Sequence, residues 1–163
     1  MWTKHPWIGA AAVLTLLAGA PLTAAQAAQT TPANPLAAVK GLKCSFPILT
    51  SATWESGEPT PQVKKGGLLS FQLTEIDTQE STANVVGLSS MGHIVAQLSG
   101  WNLHFLDIRP TGSLTITTVF AQESREKKLK AVHTRTDYLP VSIPGFVAKP
   151  DVFQYYGECE VVQ

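Results

Sequence analysis

From Lys43 onward the chain alternates apolar and polar residues in short stretches, and this period of two constrains the fold more than any other feature. Successive side chains of an extended strand point to opposite faces, so alternation puts one face in a core and the other in water. Leu69, Phe71 and Leu73 take one side of such a stretch, while Ser70, Gln72 and Thr74 take the other. Leu114, Ile116, Thr118 and Phe120 alternate in the same way with Ser113, Thr115 and Thr117, and Leu103 and Phe105 with Asn102 and His104. After the first thirty residues no window of ten or more places apolar residues at helical spacing.

Eight such stretches are bounded by Gly, Pro, Ser and Asp clusters: Lys43–Leu49, Leu68–Ile76, Thr82–Leu88, His93–Ser99, Asn102–Ile108, Ser113–Ala121, Leu129–Thr136 and Val152–Val162. The connections in the middle are short, as antiparallel neighbours require. Pro110-Thr111-Gly112 reads as a tight turn, and Gly100 as another. Two connections read as long: Thr50 to Gly67, with Pro59 and Pro61, and Asp137 to Asp151, with Pro140, Pro144 and Pro150. Proline lacks the N–H that a central ladder uses. An open sheet of eight strands exposes two edges, which closure removes. The expected fold is therefore all-β, a small eight-stranded antiparallel up-and-down barrel of calycin-like form. A β-sandwich shows the same alternation and is the alternative.

The N-terminus has a different character. Lys4 lies in a short start, Ile8 to Ala20 is a run of thirteen residues that is apolar but for Thr15, Pro21 ends it, and Ala25-Gln26-Ala27 offers small residues for cleavage. These are the parts of a secretory signal peptide, expected over residues 1–27. A spanning helix needs about 20 apolar residues, so the run is too short to be an anchor. Residues 28–42, rich in Ala, Thr, Gln and Pro, read as a flexible leader, and 43–163 as one domain. No membrane association is expected once the signal is removed, and the location is periplasmic or secreted.

Cys44 falls in the first predicted strand and Cys159 in the last. In an exported chain, thiols so placed are expected to form a disulfide. In a barrel these strands are neighbours, so the bond would fasten the closure seam. The loop it closes, 115 residues, corresponds to a stabilisation of about 2–4 kcal/mol in practice. Two free thiols are the alternative.

The chain carries twelve basic and twelve acidic side chains, a balance that provides no electrostatic footprint for nucleic acid. Lys64-Lys65 and Lys127-Lys128 are its only basic pairs and read as solvated loop tips. His93, His104 and His133 have no metal-ligand spacing, and no Cys-x-x-Cys occurs. Gly87 to Gly92 imitates a nucleophile elbow, but Met91 stands where glycine is needed and the context is a turn between strands. No cofactor and no catalytic residue are expected.

The polar residue of most interest is His133, which shares strand parity with Leu129 and Ala131 and so points inward if they do. Tyr155 in the last strand shares parity with Cys159 and is expected beside His133 across the neighbouring strands. Trp101 and Phe120 complete the candidate ligand-binding set, although a tryptophan at such a position also serves as a plug or an edge cover. The segment Tyr138 to Val147 is a loop by its prolines yet holds Leu139, Val141, Ile143, Phe146 and Val147. It is expected to pack over one end of the barrel, as a seal or a lid.

Several phrases occur together: Lys43-Cys44-Ser45-Phe46, Ala52-Thr53-Trp54, Thr117-Thr118-Val119-Phe120-Ala121, Ala131-Val132-His133-Thr134-Arg135 and Gln154-Tyr155-Tyr156-Gly157-Glu158-Cys159. In order and spacing the chain resembles a family of small exported bacterial proteins of uncharacterised function. The resemblance implies a bacterial source and an extracytoplasmic location, and brings no activity with it. The lipocalins and avidins are an analogy of fold alone, since the lipocalin Gly-x-Trp is missing from the first strand. The functional expectation is a barrel binding a small apolar ligand. The alternative is an envelope structural or interaction protein with a filled barrel.

Overall fold

The computed structural model describes residues 33–54, 57–88, 92–138 and 149–162, with the backbone alone at 67 and 68. Residues 1–27, expected as a signal peptide, and, apart from Tyr138, the apolar segment to Val147 lie outside the described residues. Eight strands follow one another: β1 (Leu42–Trp54), β2 (Pro59–Asp77), β3 (Thr82–Val86), β4 (Gly92–Ser99), β5 (Asn102–Ile108), β6 (Leu114–Glu123), β7 (Leu129–Asp137) and β8 (Asp151–Val161). Each pairs antiparallel with the next, and β8 returns to β1, closing an up-and-down barrel. Six of the eight begin and end close to where alternation and turn residues place them. The β5–β6 turn is built as its sequence predicts, with Gly112 at φ +89° and its N–H donating to the Arg109 carbonyl at 3.0 Å.

The first hairpin differs from expectation. The connection expected between Thr50 and Gly67 is instead strand, because Ile48 to Trp54 pairs with Lys65 to Pro59. Pro59 and Pro61 are tolerated there since, among the described residues, this half of β2 pairs with β1 alone, whereas β3 pairs with residues from Gln72 to Asp77. Along a free edge a missing N–H costs no ladder bond.

The seam is fastened where Cys44 and Cys159 stand directly opposite each other and form the disulfide. A few residues on, the β1–β8 register shifts between Ser45 and Ile48. Gly157 makes this bulge feasible. A Cβ there would run into the Ser45 carbonyl oxygen and lie 2.7 Å from the Phe46 Cα.

Inside, Leu42, Cys44 and Phe46 of β1 meet Phe71, Leu73, Val85, Ala96, Leu103, Phe105, Val119 and Ala131. Residues read as leader close one end of this core. Pro35–Ala38 forms a 3-10 helix whose Leu36 is fully buried. Asn34 caps the helix by accepting from the Leu36 N–H at 2.9 Å, and its amide donates to the Gly100 carbonyl at 2.6 Å. The ordered domain thus starts ahead of Lys43: a single leucine in a short capped turn gives no periodic signal, but it is enough to plug a small barrel.

One face is reversed relative to the sequence expectation. On β6 the inward residues are Thr117 and Val119, and Leu114, Ile116 and Phe120 face outward. Phe120 lies opposite Asn102, a neighbour of inward Leu103, so its side chain belongs to the outer surface.

Candidate functional site

The inward faces of β5, β6 and β7 change chemistry part-way along the barrel. On β5 the inward series runs Leu103, Phe105, Asp107 and then on to Arg109; on β7 it runs Ala131, His133, Arg135, Asp137. Between them, β6 contributes Val119, Thr117 and Thr115, and the turn adds Ser113. The apolar half forms the floor, and the polar half lines the end opposite the helix of residues 35–38.

His133 stands at the boundary. It is 3% exposed and directly opposite both Thr117 and Tyr155. Its Nδ1 lies 2.8 Å from Thr117 Oγ1 in a hydrogen bond. The rings of Phe46, Phe71 and Tyr155 surround it at 5.7, 5.2 and 5.7 Å between centroids, with Tyr155 edge-on. Burial lowers its pKa to about 4, with Arg135 adding a smaller push in the same direction. At neutral pH it is an uncharged imidazole that holds Thr117 and packs aromatic rings.

Above it, Arg109 and Asp107 form a side-on fork, with Nε 2.6 Å from Oδ1 and Nη2 donating to Oδ2 at 2.7 Å. Arg135 Nε lies 2.5 Å from Asp137 Oδ2. Each pair joins residues two apart along extended chain, Asp107 and Arg109 at the end of β5 and Arg135 and Asp137 within β7, whose side chains share a face. The pairs frame a cavity of about 220 Å³ whose walls also include Thr111, Ser113, Thr115, Leu69, Leu88 and Tyr155, with His133 at its base. Below it, among Phe71, Val85, Ile94, Phe105 and Thr117, only about 10 Å³ remains. That is room for about one water at most. Among the described residues the interior around Phe71 and Phe105 is therefore filled, and a cavity opens at the polar mouth.

A larger hollow of about 540 Å³ lies on the outer surface over the β1–β8 bulge, against Pro47, Ile48 and Tyr156. In it Lys128 Nζ is 3.1 Å from Glu126, and Lys43 stands opposite Glu160 in the strand register. Among the described residues, no group of three or more His, Cys, Asp or Glu side chains is arranged to hold a metal ion.

Of the four residues expected to contact a ligand, the structure brings together His133 and Tyr155. Trp101 sits in the β4–β5 turn at the plugged end, 48% exposed. Phe120 faces outward near the same end, because β6 turns its hydroxyl-bearing face inward. Neither belongs to the cavity. Asp107, Arg109, Ser113, Thr115 and Arg135 were missed. Their signal was available: same-parity continuation of Leu103-Phe105 and Ala131-His133 leads to charged residues at matching heights on two strands. No family model matches the chain, and neither does any curated protein or solved structure.

Proposed function

We propose that this protein is an exported binding module that holds a small polar molecule in the mouth of its barrel. The observation that carries the reading is the division of the interior, filled and apolar over one half, open and polar over the other. The expected apolar ligand is replaced by a polar one, since an apolar guest would need the interior space that Phe46, Phe71 and Phe105 occupy. A mouth of about 220 Å³ is smaller than the roughly 300–1,000 Å³ of sites for drug-sized molecules. Export is supported by the tripartite N-terminus and by a disulfide, a bond that persists in oxidising compartments. No helix among the described residues is long and apolar enough to cross a membrane.

The test is small-molecule mass spectrometry of protein purified under native conditions from its extracytoplasmic compartment. Wild-type protein is expected to carry a small polar molecule. The Thr115→Trp variant, with its mouth filled, is expected to carry none. Equal recovery from both would place binding elsewhere, and recovery from neither would favour the filled barrel as an interaction protein.

A further inference from the structure

We infer that the mouth takes an uncharged polyhydroxylated ligand, a single sugar ring or a polyol; this inference rests on the binding reading above and assigns its ligand class. Charge is the first consideration. The cavity wall contains Asp107, Arg109 and Arg135, with Asp137 beside Arg135 at the rim. Every one of these charges is already answered by an opposite charge two residues away along the chain. A carboxylate ligand would have to draw an arginine away from its aspartate, and an ammonium ligand would have to draw an aspartate from its arginine. Either exchange replaces one ion pair by another and leaves a partner behind in a partly desolvated site, where an unpaired charge is costly. Asp151, which stands opposite Asp137 at the outermost rung, makes the rim less hospitable still to an anion.

Hydrogen-bonding capacity is the second consideration. Nη2 of Arg109 donates to Asp107, its Nε lies 2.6 Å from Oδ1 in the ion pair without a hydrogen bond of its own, and the second pair uses Nε of Arg135. Nη1 of Arg109 and both terminal nitrogens of Arg135 lie outside those pairs, and each carries N–H donors. Ser113, Thr115 and Tyr155 supply hydroxyls that donate and accept. A wall that both donates and accepts, with its formal charges cancelled, is matched by a guest whose groups also do both, namely hydroxyls.

Shape is the third. The polar groups come from β5, β6, β7, β8 and the β5–β6 turn, whereas Leu69 and Leu88 line the wall on the β2–β3 side. A sugar ring has the same two-sidedness, with hydroxyls around its edge and C–H groups on its faces. At about 30 Å³ per water, the cavity of about 220 Å³ corresponds to roughly seven waters, the bulk of one small ring.

Titration of isotope-labelled protein, followed by amide chemical shifts, tests this with three probes on one carbon skeleton: glucose, the carboxylate gluconate and the ammonium glucosamine. Glucose is expected to shift amides within 107–115 and 133–135, at concentrations at least tenfold below those needed for either charged probe. Thr115→Val, which keeps the side-chain shape and removes the hydroxyl, is expected to weaken glucose at least fivefold. Tighter binding of gluconate or glucosamine at those amides would overturn the ligand class and leave the mouth as the site. Shifts from glucose confined to other surfaces, or none from any probe, would also overturn the class, while the mass-spectrometric comparison judges the site separately.

Discussion

At the end of the barrel where the chain enters β1, Leu36, Val39, Leu42 and Leu103 are all buried. At the other end the inward positions belong to Asp107, Arg109, Ser113, Thr115 and Arg135. The same strands supply both ends, so the difference lies in which side chains follow each other at one parity. A closed barrel of eight strands has room for a packed layer of side chains and little else. Where that layer is apolar, it supplies stability. Where it turns to paired charges and hydroxyls, it contributes less packing and leaves a cavity. Two histidine–threonine pairs on adjacent residues of β6 show the rule at the smallest scale. His133 bonds Thr117 inside, and His104 bonds Thr118 outside at 3.0 Å. The chemistry is the same on each face, and burial alone separates the two roles.

If the floor carries the stability, its variants have the largest effects. Phe105→Ala is expected to cost about 3–5 kcal/mol, from lost burial and the cavity left behind. Denaturant unfolding of the disulfide-intact protein measures it. A loss under about 1 kcal/mol would mean that the floor is not packed as described. Replacing Cys44 and Cys159 together by serine comes next, at about 2–4 kcal/mol, read as the difference between unfolding midpoints.

The pH dependence of stability sharpens the comparison at its boundary. The pKa of His133 falls from an ordinary 6.5 to about 4 on folding, chiefly by burial. The folded state therefore binds fewer protons than the unfolded state between those values. Its contribution is complete above pH 6.5, declines as pH falls toward 4, and amounts to up to about 3 kcal/mol. His133→Gln is expected to flatten that part of the stability profile. An unchanged profile in that variant would contradict the burial of a neutral His133.

The smallest stability effect belongs to the mouth. Arg135 and Asp137 are a partly exposed pair, with side chains 52% and 25% accessible. Such pairs contribute about 0–1 kcal/mol. Arg135→Gln is expected to fall in that range by thermal unfolding, while carriage of the co-purifying molecule drops. A variant that loses stability and keeps the molecule would reverse the assignment of roles to the two ends.

Much of this was legible in the sequence, and the reasons it was partial are physical. Alternation and turn residues located the strands, and the placement of one cysteine in each terminal strand anticipated the seam disulfide. The orientation of β6 was not legible, because Leu114, Ile116 and Phe120 look like a core face when apolar character alone decides. Closure decides otherwise: β6 must keep the register of its neighbours, and β5 and β7 commit Leu103, Phe105, Ala131 and His133 inward. The mouth was half legible. His133 and Tyr155 shared parity with known inward residues, but the arginine–aspartate pairs at 107–109 and 135–137 resemble solvated strand ends until the barrel closes around them. The plug at Leu36 carried no period to detect.

The most direct test of the division between floor and mouth is an amide-shift screen of the labelled protein against a defined library of small polar molecules, scored by where the responding residues lie. The account predicts that responding amides gather at residues 107–115 and 133–135, with those at 36–42 and 98–103 unmoved. Responses centred on the plugged end, or on the exposed outer side chains of Val95 and Tyr156, would contradict it.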